Sequence, residues 1–256
     1  LASDRTLFAR VHRKPLSRRF RALAATAAAI ALGGTLLTPA PVSAAGEPLG
    51  HDVSAHQKDV DWQSAKANGA TFVYVKATES HTYRSPYFGR QYDGSRAAGL
   101  IRGAYHFALP DRSSGVTQAR FFVRNGGAWR ADGWTLPPAL DIEYNPYGGQ
   151  KCYGLSKAAM ATWITAFSDE VSRLTGRRPV IYTTAHWWNT CTNSSSAFTS
   201  KHFLWLARYD AADAGALPAG GWKSWTFWQY DNSGWLPGDQ NLFNGSFAQL
   251  RRFAKG

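Results

Sequence analysis

From residue 49 onward the spacing of hydrophobic and polar positions alternates between strand-like and helix-like periods. "LGHDVSA" reads as a strand, and "DWQSAKANG" as a short helix with Asp61 near its start. "ATFVYVKATE" is a second strand, and "YFGRQYDGSRAAG" a helix closed by Gly99. "LIRGAYHFA" is a third strand, followed by the helix "SGVTQARFFVRNGG" with a glycine pair at its end. "PALDIEY" is the fourth strand. "SKAAMATWITAFSDEVSRLTG" is the clearest amphipathic helix, with Ser156 as N-cap and Gly176 as stop. Four short strands follow: "RPVIYTTA", "FLWLARYD", "SWTFWQYD" and "PGDQNLF". Loops rather than long helices separate the last three. A helix, "SFAQLRRFAK", closes the pattern.

Strand–helix alternation predicts an α/β fold with parallel strands joined by crossovers. About eight strands in roughly 200 residues predict a single irregular (β/α) TIM-like barrel near the lower size limit. Its helices are expected to be shortened or missing in the C-terminal half. The chain has 256 residues, 44% of them hydrophobic, which is ample for one core. No internal repeat, low-complexity linker or second folded domain is visible.

Residues 1–44 stand apart. An Arg-rich run, "LASDRTLFARVHRKPLSRRFR", precedes an apolar, small-residue run that ends in "VSA" before Ala45. This is the pattern of a cleaved export signal. Gly33, Gly34 and Pro39 make the apolar run a poor membrane span, and "SRRF" hints at a twin-arginine signal. Residues 45–256 then form the barrel domain, expected outside the cell, off the membrane, and as a monomer. The chain carries 29 Lys/Arg and 17 Asp/Glu, of which residues 1–44 hold seven and one, leaving +6 from Ala45 on. That charge favours an anionic partner such as a cell wall. No Lys/Arg–aromatic motif supports nucleic acid. Export makes a disulfide between Cys152 and Cys191 the expected state of the two cysteines.

Function in such barrels sits at the C-terminal ends of the strands. There the sequence places Asp52 and Ser54, then Lys76 and Glu79, then Tyr105 and His106. Asp141 and Glu143 follow, then Tyr182, then Trp205, Arg208 and Tyr209. Trp228, Gln229 and Tyr230 come next, and Asp239 with Asn241 last. Acids that move protons and aromatics that stack on sugar rings thus collect at one rim. Trp205 and Trp228 are the expected sugar platforms, and "HWWN" at 186–189 either shapes a subsite or packs under a loop. His51, His56 and His106 lack an H-x-E-x-x-H-like spacing, so neither metal nor cofactor is expected. His106 reads as a hydrogen-bonded packing histidine.

"GHDVSAHQ", "FVYVKATES", "GAYHF", "ALDIE", "IYT", "LWLARYD", "WQY" and "GDQNLFNGS" occur in the order found in family 25 glycoside hydrolases. The chain resembles these secreted bacterial lysozymes of the Chalaropsis type from residue 49 to about 254. The resemblance implies hydrolysis of the β-1,4 bond from N-acetylmuramic acid to N-acetylglucosamine in bacterial peptidoglycan. It also implies Glu143 as general acid, with Asp52, Asp141 and Asp239 around it. Tyr105, Tyr182, Trp205, Tyr209, Trp228, Gln229 and Lys76 are the substrate-contacting candidates. Two positions depart from the family pattern: Ser80 stands where Gly is common, and Gln240 where an aliphatic residue is usual.

The residues support the same chemistry independently. Asp141 and Glu143, two apart on a strand, share a face. Buried together they repel, and an ionised Asp141 is expected to hold a proton on Glu143. A general acid for glycoside cleavage needs such a raised pKa. Two routes stay open. In one, the substrate's own N-acetyl group attacks while Asp141 holds its N–H; in the other, Asp52 or Asp239 acts from across the barrel mouth. Two other functions also stay open: a non-catalytic glycan-binding barrel, and a hydrolase of another N-acetylglucosamine polymer such as chitin. The chitinase signature's upstream acids are missing from "PPALDIE".

Overall fold

A computed structural model describes residues 46–209 and 211–256, within one compact unit spanning Ser43–Gly256. The expected export signal over 1–44 lies outside the described residues. Strands β1 (Leu49–Val53), β2 (Phe72–Glu79) and β4 (Ile101–Phe107) alternate with helices α1 (Trp62–Ala67) and α2 (Phe88–Ala97). A two-residue strand, β3 (Tyr83–Arg84), folds back on β2. Helix α3 (Gly115–Arg124), strand β5 (Ala139–Asp141), helix α4 (Lys157–Thr175), strand β6 (Val180–Thr183) and helix α5 (Ala185–Thr192) follow. Strands β7 (Leu204–Ala207), β8 (Phe227–Asp231) and β9 (Asp239–Phe243) and helix α6 (Phe247–Lys255) complete the chain.

Local chemistry sets the helix ends. Asp61 accepts from the Ser64 N–H at 3.0 Å, and Ser156 from the Ala159 N–H at 3.2 Å. Gly176 closes α4 at φ +75°, a left-handed conformation that glycine adopts without strain.

The sheet closes on itself. Strands β1, β2, β4, β5, β6, β7, β8 and β9 form the ring, with β3 as an outer flap on β2. Seven of the eight run parallel, but β9 is antiparallel to both β8 and β1. This corrects the expectation of an all-parallel barrel. The link at 232–238 is far shorter than the dozen or so residues a parallel crossover needs. The chain can only turn back. The expected loss of helices in the C-terminal half holds only for its last strands. Helix α4, the longest at 19 residues, lies in that half with α5 and α6, while among the described residues the links joining β7, β8 and β9 carry no helix.

Alternate residues divide the core in two. Inside the barrel, Phe72, Tyr74, Ile101, Val180, Trp205 and Phe227 pack together. Gly50 and Gly103 make room for them, since a Cβ would lie 2.5 Å from the Phe72 ring in one case and 2.4 Å from the Tyr74 ring in the other. Outside, Leu140, Ile142, Ile181 and Leu206 pack against α3, α4 and α5. The interior is therefore apolar at the bottom and acquires its acids only towards the rim.

Candidate active site

Strand β5 carries Leu140 outward and Asp141 inward. Ile142 continues the extended path, because its N–H donates to the Tyr182 carbonyl at 3.1 Å. Glu143 consequently faces inward beside Asp141, one residue pair further up the mouth. The two antiparallel pairings of β9 bring Asp239 to the same mouth from the beginning of its strand, where it is the register partner of Asp52. Gly238 makes this approach possible: at φ +79° a Cβ there would fall 2.0 Å from the Asp52 carbonyl oxygen.

These four carboxyls share one cavity of about 280 Å³. Lys76, Tyr105, Tyr182, Trp205 and Gln229 also line it. Gln229 is its hub. Its Nε2 donates to Asp52 Oδ2 at 2.7 Å and to Asp239 Oδ2 at 3.2 Å. Its Oε1 accepts from the Tyr182 hydroxyl at 2.7 Å and also from the Tyr209 hydroxyl. Asn241 donates to Asp52 Oδ2 at 2.7 Å and accepts from the Trp205 indole N–H at 2.7 Å.

Burial decides the proton affinities. It pushes Glu143 up to about 7 against the pull of Lys76, with Asp239 adding to the rise and a hydrogen bond from Asp141 opposing it. Burial also holds Asp141 well above the carboxylate range, with Glu143 adding to that. The expected cause is thus corrected: Glu143 keeps its proton through lost hydration and Asp239, not through an ionised Asp141. Asp52 rises to about 8, through burial and then Asp239, although Asn241 and Gln229 pull it down. Asp239 rises only to about 6, by burial and by Asp231.

The remaining candidates separate by strand parity. Trp228 points outward, into the core between barrel and helices, with its indole N–H on the Arg208 carbonyl at 2.9 Å. It is not a sugar platform at this cavity; neighbours on a strand cannot both face inward, and Gln229 does. Trp205 is a floor rather than an open platform: it is 2% exposed and Tyr74 stacks on it at 4.7 Å. Trp187 and Trp188 of "HWWN" form the buried face of α5 and are packing residues, while His186 and Asn189 beside them are exposed. Tyr209 stands at the edge, held through Gln229. Lys76 pairs with Glu79 at 2.6 Å instead of with Asp141 or Glu143. His106 is buried between Thr78, at 2.8 Å, and Gln118, at 3.0 Å. Ser54, His56, Gln57 and Phe107 also line the cavity. His56, Gln57 and Phe107 were missed as site residues: Phe107 ends β4, where the strand-end rule would have found it, whereas His56 and Gln57 lie in the short 3-10 turn, Ala55–Gln57, that follows β1. Asn241 was recognisable as the same-face neighbour of Asp239. Among the described residues no group of three or more His, Cys, Asp or Glu side chains is arranged to hold a metal ion.

The two departures from the family pattern have local explanations. Gln240 is fully buried and donates to the carbonyls of Leu236 at 2.9 Å and Gly238 at 2.8 Å, which fastens the turn before Asp239. Ser80 sits at φ +52°, where glycine is favoured.

The model of glycosyl hydrolases family 25 matches residues 51–239. The chain belongs to this family. A family 25 lysozyme from Aspergillus fumigatus has the same fold, with a TM-score of 0.80 and 49% identity over 82% of this chain and 100% of that one. The chain is 45% identical to an N,O-diacetylmuramidase of Arthroderma benhamiae over 230 residues, 89% of this chain and 96% of the relative. It is 47% identical to Lysozyme M1 of Streptomyces globisporus over 210 residues, 80% of this chain and 70% of the relative. The family 25 match ends at Asp239, so it takes in all four carboxyls of the cavity.

Proposed function

We propose that this protein is a lysozyme acting on peptidoglycan, an N-acetylmuramidase in which Glu143 is the general acid. The carrying observation is a carboxyl with an affinity near 7 at the mouth of a family 25 barrel. Glu143 donates its proton to the glycosidic oxygen as the bond to C1 breaks. The acetamido carbonyl oxygen of the same sugar closes on C1 and forms an oxazolinium ion. Asp141 is suited to hold the acetamide N–H, because its Oδ1 is buried without a hydrogen-bond partner among the described residues. The Glu143 carboxylate then takes a proton from water, whose oxygen attacks C1 and restores the starting configuration. Asp239 is the carboxyl most readily ionised near neutrality, and its charge favours the cationic sugar. Asp52 is a poor nucleophile, since burial and Asp239 raise it to about 8 and keep it mostly protonated at neutral pH, while Gln229 and Asn241 both bond its Oδ2. It acts by positioning them.

Residues 1–44 fit a cleaved export signal and 45–256 the catalytic domain, which agrees with a substrate outside the cell. No helix of the described residues is long and apolar enough to cross a membrane. The glycan-binding alternative is not favoured, because binding alone gives no reason to bury four carboxyls together. Borohydride reduction of digested peptidoglycan tests the bond cleaved. Muramitol is expected; glucosaminitol, or no new reducing ends, would overturn the reading.

A further inference from the structure

A second cavity, of about 430 Å³, opens on the same rim. Glu79, His81, Tyr83, Leu109, Arg112 and Tyr147 line it. It shares a wall with the catalytic cavity. Glu79 at the end of β2 is the register partner of Phe107 at the end of β4, and Phe107 lines the catalytic cavity. Lys76 reaches across that wall: it lines the first cavity, and its ammonium meets Glu79 of the second at 2.6 Å. The Tyr147 hydroxyl donates to the other oxygen of Glu79. Lys76 also lies 4.7 Å from the Phe107 ring centroid and 5.7 Å from that of Tyr83.

Two aromatic rings here are left to solvent. Tyr147 is 62% exposed although its hydroxyl is tied to Glu79, and Tyr83 is 39% exposed on the short strand that pairs with Glu79. Fixed, exposed ring faces beside charged hydrogen-bonding groups suit a pyranose, which offers an apolar face and a hydroxyl edge. The catalytic cavity, at about 280 Å³, is near the lower limit for a small-ligand site, roughly 300 Å³, and cannot enclose several sugars of a polymer. We propose that the second cavity is a carbohydrate subsite, where Tyr83 and Tyr147 seat another sugar ring of the same glycan strand. This rests on the reading of the protein as a glycan-strand hydrolase. Glu79 and Lys76 form its polar edge and join it to the reacting centre.

Peptide-free glycan strands of two lengths, a tetrasaccharide and an octasaccharide, test the proposal through kcat/KM. The wild type is expected to prefer the octasaccharide by about tenfold, the upper end for one stacked aromatic face. The Tyr83→Ala/Tyr147→Ala double variant should lose most of that preference, falling about fivefold further on the long strand than on the short one. Tyr147→Phe, which keeps the ring, should retain most of it. Equal losses on both lengths would overturn the subsite. So would a length preference seen only on peptide-bearing strands, which would make the cavity a stem-peptide site. A wild type that cleaves both lengths equally would remove the subsite alone. One that cleaves neither would remove the muramidase reading together with it.

Discussion

Glu143 and Asp52 are both carboxyls lifted by burial, but they are placed for different tasks. Among the described residues no amide donates to Glu143, which lines the mouth of the cavity, so its proton is available to a substrate oxygen. Asp52 is locked by Gln229 and Asn241 at 2.7 Å each and keeps its proton to about pH 8. This has a consequence for stability. Asp52 has a folded-state affinity raised from 3.8 to about 8, so the native state binds more protons than the unfolded chain between those values. Its contribution is fully present below pH 3.8 and is lost as the pH rises towards about 8. The melting temperature of the wild type should therefore fall across that window. Asp52→Asn keeps an oxygen acceptor for the two amides but cannot ionise, and its melting temperature should fall less steeply. Parallel melting curves for the two proteins over this range would show that Asp52 does not carry the dependence.

At the scale of elements, alternation was legible and direction was not. The inward pairing of Asp141 with Glu143 follows from period two alone. So does the choice between Trp228 and Gln229, once parity is applied strictly. The antiparallel course of β9 is invisible to that pattern, because an alternating run reads the same in either direction. Only the short link at 232–238 betrays it. Helix α5 was harder to foresee. Its Thr, Trp and His residues are weak helix formers, and its existence depends on burying Trp187 and Trp188 and on Cys191. The disulfide forms as expected, joining Cys152 to Cys191 with 39 residues of separation. A closed loop of that size corresponds to about 4 kcal/mol in the chain-entropy model. The Cys152→Ser/Cys191→Ser double variant should lose roughly 2–4 kcal/mol in denaturant unfolding. An unchanged midpoint would mean that packing under α5 holds the segment without the bond.

For the whole molecule, the barrel supplies what an isolated strand could not: an apolar floor of Tyr74, Trp205 and Phe227 beneath a ring of acids. Withdrawal from water raises every carboxyl in that ring, to different extents. At neutral pH, Asp52 is mostly protonated, Glu143 about half protonated and Asp239 largely ionised. An acid and an anionic partner thus coexist in one cavity over a narrow pH interval. The pH dependence of reducing-end release from peptidoglycan, for the wild type and Glu143→Gln, tests this most directly. The wild type should give a bell in kcat/KM, rising near pH 6 as Asp239 ionises and falling near pH 7 as Glu143 loses its proton. Glu143→Gln should be slower by about 10²–10⁴-fold, the worth of a general acid, with the limb near 7 gone. A Gln variant that retains substantial activity and the same alkaline limb would contradict the assignment of Glu143 as the acid.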